Sequence, residues 1–414
     1  MPKGARLEKL TIENFAGIEH LEMDVSPFTV LIGPQSVGKS ITAKVLYFFK
    51  SLPLTLYRAA ERDEVASCED VVLREFEGLF FPRGFVEGVP TLTWSRSSES
   101  TIQINGSIVS VPDSLRNAYD LFARAKTESE FLQIEGEEVQ LTQSKFRSEQ
   151  AYWRVADEVI PKGRHGAYFI PAGRSFYAQI ERDAASFFTS AQIDPFVSRF
   201  GKLLARIKNL GSWSQMPVTM GSAADLVNEL LGGTYTRENN EDLILSADGR
   251  QLRSAVWSSG QQEAHPLAVM LQEHCGGVLA PSNIFIEEPE AHLFPTSQRV
   301  MTELIALAFN ARSSDTSVFL TTHSPYILTT INNLLQAGLL YGGALSDEGK
   351  EALANIVPED RALPPGSVGV FYMDRDSCRS IIDEETGLIG TSEIDQASWD
   401  LSAQFEALLE TQPS

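Results

Sequence analysis

The segment FTVLIGPQSVGKSITAKVLYFFKSL, residues 28–52, decides the fold of this 414-residue chain. FTVLIG is a short, continuously apolar run, which is typical of a buried parallel strand. ITAKVLYFFKSL carries apolar residues at helical spacing. Between them, Gly33–Ser40 fits the pattern G-x4-G-K-[ST] without exception. The order strand, glycine-rich loop and helix predicts a P-loop, in which backbone N–H groups point at phosphate oxygens.

This loop predicts ATP and Mg²⁺ as the cofactors. The positive end of the following helix favours an anion at its start. The Lys39 side chain is expected to reach the β- and γ-phosphates, and the Ser40 hydroxyl to bind Mg²⁺. Contacts to ATP are expected along one continuous stretch, which comprises Gly33, Pro34, Gln35, Ser36, Val37, Gly38, Lys39, Ser40 and Ile41.

A second apolar strand, IFI at residues 284–286, ends in the two carboxylates Glu287 and Glu288. Phosphoryl transfer to water needs one carboxylate near Mg²⁺ and another that orients or deprotonates the attacking water. We assign Glu287 to the metal ion and Glu288 to the water, as the catalytic base. The alternative is a strand that simply ends in solvated acids.

His323 follows the apolar strand SVFLT in the string TTHSP. At the tip of a buried strand, a histidine can donate a hydrogen bond to the γ-phosphate or to the attacking water. We therefore name His323 as a catalytic residue together with Glu288 and Lys39. A lone histidine is more often structural, and only its place in an ordered set of motifs favours the catalytic role.

The string WSSGQQE, residues 257–263, precedes a predicted helix. Small hydroxyl residues and a glycine at a helix start form an anion site, so Ser258, Ser259, Gly260 and Gln261 are candidate ATP contacts. The chain already has one P-loop, so a second such helix start makes sense if it serves a nucleotide held by another subunit. The alternative is a plain N-cap. Pro266 predicts an offset or kinked helix start.

The remaining patterns place these motifs on a framework. Residues 7–15 and 18–25 are predicted to pair around the turn Ala16-Gly17, and three antiparallel strands follow in 91–112. Residues 112–211 are mainly helical, apart from the strand GAYFI. Asp248-Gly249 marks a hairpin turn, GSVGVFYMDRDSCRSIID (366–383) forms another hairpin, and AQFEALLE is a last short helix.

In this order, the P-loop, SSGQQE, IFIEEPEAHLFP and TTHSP resemble the Walker A, signature, Walker B and His-switch motifs of ABC ATPases. The strings are most similar to the RecF/SMC-type group and to its OLD-like branch, in which segments similar to IPAGRS (170–175) also occur. Similar ATPases are found in the bacterial anti-phage systems PARIS, Septu and Gabija. The resemblance covers about residues 7–55 and 240–330 well. The Walker B strand ends Glu-Glu, where transporters and SMC proteins show Asp-Glu.

The resemblance implies an α/β fold: an ABC-ATPase head, which is a P-loop NTPase with a mixed or parallel sheet and an antiparallel β lobe, plus a compact helical insertion. The expected domains are the N-terminal core (1–111), the helical insertion or arm (112–240) and the C-terminal core (241–414). The resemblance also implies a head-to-head dimer with two ATPs at its interface, in which Ser258–Gln261 contact the ATP on the other subunit's Lys39. Glu290–Leu293 match the D-loop position, and Gln179 is an unanchored candidate for the Q-loop.

We therefore expect an ATPase that dimerises, or forms higher oligomers of such dimers, and acts as the sensor of an anti-phage defence system with a separate effector protein, such as a Toprim- or HNH-type nuclease or a toxin. Asp374-Arg375-Asp376 resembles part of a Toprim metal site, but a hairpin turn is favoured because aspartate favours turns. One alternative is a RecF-like DNA-repair or chromosome-maintenance ATPase that acts directly on DNA. A scaffold with structural ATP is another.

The formal net charge of −21 makes the chain a poor DNA binder unless its basic residues share one face. Arg199, Lys202 and Arg206 fall at helical spacing and form such a candidate stripe, although a solvated face is favoured. No apolar run approaches the ~18 residues needed to cross a bilayer, so no membrane contact is expected. The start MPKGARLEKLTIENF lacks the apolar stretch of a signal peptide, so a cytoplasmic location is expected.

Overall fold

The computed structural model describes residues 8–62, 66–80, 89–97, 99–132, 150, 152–157, 166–179, 193–209, 219–238, 241–279, 282–312 and 316–390. The strands are β1 (Glu8–Phe15), β2 (Ile18–Val25), β3 (Phe28–Ile32), β4 (Thr91–Ser95), β5 (Thr101–Asn105), β6 (Ile108–Ser110), β7 (Gly166–Ile170), β8 (Thr234–Glu238), β9 (Glu241–Leu245), β10 (Gln251–Arg253), β11 (Ser282–Glu287), β12 (Ser317–Thr322), β13 (Val368–Met373) and β14 (Cys378–Ser380). The α-helices are α1 (Lys39–Glu61), α2 (Cys68–Phe80), α3 (Asp113–Leu132), α4 (Ser175–Gln179), α5 (Pro195–Asn209), α6 (Thr219–Leu231), α7 (Ser259–Cys275), α8 (Pro295–Asn310), α9 (Pro325–Tyr341) and α10 (Asp347–Ala354).

A six-stranded sheet forms the centre, with the strand order β14-β13-β3-β12-β11-β7. Its neighbours pair in parallel from β13 to β7, and only β14 is antiparallel, as the second arm of a hairpin with β13. The strand β11 is buried along its whole length, as expected for a parallel strand that is covered on both faces. The carboxyl ends of β3, β11 and β12 therefore meet at one edge of the sheet.

An antiparallel lobe with the order β2-β1-β4-β5-β6 lies beside this sheet. Leu10, Ile12 and Trp94 are fully buried, and they share a core cluster with apolar residues of α1 and α2. A second core cluster joins the other face of the central sheet to α5, α6, α7, α8 and α9. Helix α1 contacts β7, β11 and β12 as well as β4, so it is held between the central sheet and the antiparallel lobe. This packing fixes the helix start that follows the glycine-rich loop.

The fold class predicted from sequence is confirmed: a mixed, mainly parallel sheet accompanies an antiparallel β lobe and helices. The strand pairs β1–β2, β4–β5 and β9–β10 form as predicted, the last around the turn at Asp248-Gly249. The predicted helix AQFEALLE lies outside the described residues.

The prediction of an offset start for the helix near Pro266 is wrong. Helix α7 begins at Ser259, directly after its cap Ser258, and continues through Pro266. The Ser258 hydroxyl accepts a hydrogen bond from the Gln261 N–H, and the Gln261 side chain accepts one from the Ser258 N–H. This capping box satisfies the free N–H groups at the helix start, so the helix forms although Pro266 contributes no N–H.

Candidate nucleotide site

The loop Gly33–Ser40 connects β3 to α1 and depends on its glycines for its shape. Gly38 caps α1 with φ of 103°, in the left-handed region that favours glycine. A Cβ atom at Gly38 would lie 2.8 Å from side-chain atoms of Ile18, and one at Gly33 would lie 1.9 Å from the Met373 carbonyl oxygen. Ser36 also has a positive φ, of 63°. The loop is thus wedged between the β1–β2 hairpin and the end of β13, at the start of a long helix.

The Lys39 side chain folds back over the loop. Its ammonium donates hydrogen bonds to the carbonyl oxygens of Gly33 (2.7 Å) and Pro34 (2.6 Å). Lys39 is only 5% exposed, and this burial lowers the pKa of its ammonium to about 8, against the opposing charges of Glu288 and Glu290. A cation held at the mouth of a glycine-rich loop is the arrangement that a phosphate group would meet.

Glu287 ends β11 and is buried beside the start of α1. Its Oε2 accepts a hydrogen bond from the Ala172 N–H at 3.2 Å. Its Oε1 has no hydrogen-bond partner, and the Lys44 ammonium lies 3.9 Å away. Burial raises the pKa of the Glu287 carboxyl, and the Ser40 side chain lies close enough to oppose this rise. A buried carboxylate with a free oxygen next to a serine hydroxyl fits a small cation with oxygen ligands.

Glu288 adopts a backbone conformation with φ of 44°, which is rare outside glycine. Its N–H donates to the Thr321 carbonyl oxygen on the neighbouring strand, at 2.9 Å. The side chain is 39% exposed, and its Oε1 lies 3.4 Å from His323 Nε2. The unusual φ turns the chain sharply after β11, so that the carboxylate of Glu288 points along the edge of the sheet and not into the core.

His323 lies between Lys39 and Glu288. Its Nδ1 is 3.3 Å from the Lys39 ammonium, on the opposite side of the ring from the Nε2 that faces Glu288. The backbone N–H of His323 donates a hydrogen bond to Glu290 Oε1 at 2.6 Å, and this bond holds the turn after β12. The three residues named as catalytic from the sequence therefore meet at one edge, because the parallel strands β3, β11 and β12 end there.

The signature segment (Ser258–Gln261) forms the exposed start of α7. Ser258 and Ser259 are exposed, and Gln261 is half-buried and donates from Nε2 to the Leu231 carbonyl oxygen at 2.7 Å. A Cβ atom at Gly260 would lie 3.0 Å from the His292 carbonyl oxygen, so this helix start packs closely against the turn that follows Glu288. Ser259 is therefore exposed at the helix start, whereas the Ser258 hydroxyl hydrogen-bonds to Gln261 within the cap.

Residues 28–329 match the protein family described as "AAA domain, putative AbiEii toxin, Type IV TA system". The match covers the P-loop, the signature segment, both carboxylates and His323. The chain belongs to this family. The expectation of an ATPase-type P-loop domain is therefore confirmed, whereas the anti-phage branch stays a prediction. No protein among the curated sequences matches the chain.

Solved structures with a similar chain fold include SMC heads and an ATP-binding cassette. The Smc head domain with a coiled coil and joint from Pyrococcus yayanosii is 12% identical, with a TM-score of 0.37 over 95% of this chain and 99% of that one. The SMC head domain from Thermotoga maritima is 13% identical, with a TM-score of 0.32 over 78% and 92%. A dimeric, post-hydrolysis ATP-binding cassette bound to ADP and Pi is 9% identical, with a TM-score of 0.31 over 90% and 97%.

Sequence reasoning missed the role of Arg174 in this AAA domain, although it singled out the segment IPAGRS. The guanidinium is fully buried and donates to the carbonyl oxygens of Glu287 (2.6 Å) and Glu288 (2.9 Å). The sequence offered one signal for these hydrogen bonds, which is the presence of an arginine in the segment IPAGRS. The Q-loop candidate Gln179 ends α4, and its side chain lies outside the described residues.

Asp374 stands in a hairpin turn, as favoured from the sequence. Its Oδ1 accepts hydrogen bonds from the N–H groups of Asp376 (2.9 Å) and Ser377 (2.7 Å) between β13 and β14. The turn lines a cavity of about 310 Å³ together with residues 17–21 of the β1–β2 hairpin and Ser36 and Val37 of the P-loop.

No helix among the described residues combines the length and apolar character needed to cross a membrane.

Proposed function

We propose that the protein binds ATP with Mg²⁺ at the P-loop and hydrolyses it slowly, as a conformational switch. The observation that carries this proposal is the meeting of Lys39, Glu288 and His323 at the edge where three parallel strands end. Lys39 would hold the β- and γ-phosphates, Glu288 would deprotonate or orient the attacking water, and His323 would donate a hydrogen bond to the γ-phosphate or to that water.

Ser40 and Glu287 would hold Mg²⁺. The Glu287 Oε1 atom is buried and lacks a hydrogen-bond partner. A buried oxygen without a partner lowers the stability of the fold unless a bound cation or its water ligands interact with it. Mg²⁺ is usually held by one or two protein oxygens, with phosphates and water supplying the rest. The bound ion would neutralise charge on the β- and γ-phosphates. The Lys44 ammonium, 3.9 Å from the same oxygen, offsets the negative charge of the carboxylate when no cation is bound.

The nucleoside part of ATP would lie in the cavity beside the P-loop. Ser36 and Val37 form one wall, the β1–β2 turn a second and the Asp374–Ser377 turn a third. A volume of about 310 Å³ is at the lower end of the range for small-molecule sites. The cavity continues from the loop that would hold the phosphates, so one ligand can occupy both.

We further propose that two copies complete each other's sites. The helix start at Ser258 and Ser259, both exposed, would contact the γ-phosphate bound to the other copy. Three large apolar side chains beside the motifs are exposed: Val256 (68%) precedes the signature segment, Phe294 (73%) follows the Glu290–Leu293 turn and Tyr326 (53%) follows His323. Exposed apolar groups around polar motifs favour a contact surface with another protein chain.

The cellular role that we propose is the sensor or regulator ATPase of a bacterial anti-phage defence system, controlling a separate nuclease or toxin. The support is the motif resemblance together with the family description, which names a toxin of a type IV toxin–antitoxin system. A test is phage plating on bacteria that express the chain with its neighbouring genes. We expect protection that Lys39→Ala abolishes, and equal plating with and without the genes, over a broad set of phages, would contradict the role.

Direct action on DNA is the less favoured alternative. Arg199 of the candidate basic stripe forms an ion pair with Glu75, at 2.6 Å between Nη1 and Oε1. Only Lys202 and Arg206 of the stripe are exposed. Two free cations on a chain of net charge −21 give little electrostatic attraction to a phosphate backbone.

Glu288→Gln tests the enzymatic part of the proposal. The amide keeps the shape of the carboxylate but cannot accept a proton, so ATP should bind with unchanged affinity while hydrolysis falls by about 10²-fold or more. Binding is measured by fluorescence titration and turnover by phosphate release. Lys39→Ala is the contrasting variant and should weaken binding itself. Wild-type turnover in Glu288→Gln would show that Glu288 is not the base.

A further inference from the structure

Arg174 holds the end of β11 through backbone atoms. Its Nη1 donates to the carbonyl oxygens of Pro171 (3.0 Å) and Glu287 (2.6 Å), and its Nη2 donates to that of Glu288 (2.9 Å). The side chain is completely buried. A guanidinium is a planar, rigid fork of donors, so these bonds fix the path of the chain where Glu288 takes its positive φ.

The same arginine is bound to the helix that carries the signature segment. Glu263, fully buried in α7, accepts the N–H groups of Arg174 and Ser175, each at 2.7 Å, with its two carboxylate oxygens. The Arg174 Nε donates to the Glu263 carbonyl oxygen at 3.2 Å, and it lies 3.4 Å from Glu263 Oε1. Both the side chain and the backbone of Glu263 are therefore hydrogen-bonded to the turn after β7.

This pair joins two parts of one subunit that would serve different nucleotides. Glu287 and Glu288 would act on the subunit's own ATP, whereas Ser259, one turn before Glu263, would reach the ATP of the other copy. A shift of the Glu288 backbone on ATP binding would move the carbonyl oxygens that Arg174 holds. Because the guanidinium is rigid and the contacts are buried, the shift would pass to the first turns of α7.

We propose that Arg174, with Glu263, is a positioning residue that couples ATP binding at one subunit's P-loop to the placement of its signature segment. The inference rests on the function proposed above. Packing alone would not require this chemistry, because buried ion pairs are often replaceable by apolar residues of similar volume without loss of stability. The distinctive feature is that the Arg174 side chain hydrogen-bonds to the backbone of α7 at Glu263 and to the backbone at the end of β11.

Hydrogen exchange on a chain that cannot form the closed dimer tests this coupling. In a Ser259→Arg background, ATP with Mg²⁺ should slow exchange at the backbone amides of Gln261–His265 by about threefold or more. Arg174→Lys keeps the charge but loses the fork. With it, the ATP dissociation constant should stay within about threefold, while the effect of ATP on these amides should disappear. In the otherwise unaltered dimer, Arg174→Lys should lower kcat and leave KM within about threefold.

Lys50→Met is the matched control, since it breaks a buried ion pair with Glu8 in the antiparallel lobe, away from α7. It should lower the melting temperature and preserve the exchange effect. Glu263→Gln removes the charge from the other side of the pair and should act like Arg174→Lys, which covers the case in which Arg174→Lys does not fold. An effect of ATP that survives both substitutions, or that Lys50→Met abolishes equally, would overturn the coupling. Loss of ATP binding in the Ser259→Arg chain itself would contradict the proposed function, and the coupling with it.

Discussion

His323 illustrates how one side chain can connect two charged partners at this site. Its ring lies between the Lys39 ammonium and the Glu288 carboxylate, at 3.3 and 3.4 Å. If it donates a hydrogen bond in the transition state and not to the bound substrate, its loss should affect turnover more than binding. We expect His323→Ala to lower kcat by about 10²-fold and to leave KM within about threefold, as measured by steady-state phosphate release.

A control for this prediction is a buried histidine outside the site. His274 in α7 is 1% exposed, and its Nε2 lies 3.0 Å from Thr316 Oγ1. His274→Gln should lower the melting temperature but leave kcat per folded molecule unchanged. A His323→Ala variant with normal kcat and a lowered melting temperature would assign His323 to structure and not to catalysis.

At the scale of the element, α7 buries polar side chains along its length, from Glu263 to His274. Glu273 is 5% exposed, and burial alone raises the pKa of its carboxyl to about 7. The ordinary value is 4.5, so the folded state binds a proton that the unfolded state releases between pH 4.5 and about 7. Stability contributed by this group therefore falls as the pH rises through that window.

Glu273→Gln removes this pH-dependent penalty because the amide is always neutral. The substitution should raise the free energy of unfolding by up to about 3 kcal/mol at pH 8 and by about 1 kcal/mol or less at pH 5. Urea unfolding at the two pH values measures it. Glu351→Gln, on the exposed face of α10, removes the same charge from a solvated site and is the matched control. An equal gain at both pH values would contradict a raised pKa at Glu273.

At the scale of the whole molecule, the central question is whether one ATP is shared by two subunits. A single subunit would leave the γ-phosphate facing water, where a carboxylate that orients one water molecule works poorly. Lys39→Ala and Ser259→Arg should each be inactive alone. Mixed in equal amounts, they should recover up to about a quarter of wild-type ATPase activity, because half of the random dimers are hybrids with one intact site of two.

Subunit exchange must be shown in the same mixture, for example by co-purification of differently tagged chains. Exchange without recovered activity would count against the shared site. Hydrolysis at the wild-type rate by a strictly monomeric preparation would contradict it directly. The order of events that we propose is closure on ATP and opening after hydrolysis, which would make the dimer a timer for the partner that it holds.

Elements with local causes could be predicted from the amino-acid sequence. The glycine spacing of the P-loop, the apolar runs of β3, β11 and β12 and the turn chemistry of Asp248-Gly249 and Asp374 depend on neighbouring residues, and each took its predicted form. The helix start at Ser259 differs from the prediction based on Pro266, because the capping box of Ser258 and Gln261 stabilises the first turn.

Which residues meet depends on how the elements pack. Arg174 bonds to residues 89 and 114 positions away, and Arg199 to one 124 positions away, so no local pattern predicts that the first joins two motifs or that the second is withdrawn from the basic stripe. Burial is equally non-local: Glu263 belongs to a polar string in the sequence, yet it is 0% exposed. The physical reason is that backbone propensities act over a few residues, whereas the position of a charge relative to a distant partner follows from how sheets and helices pack.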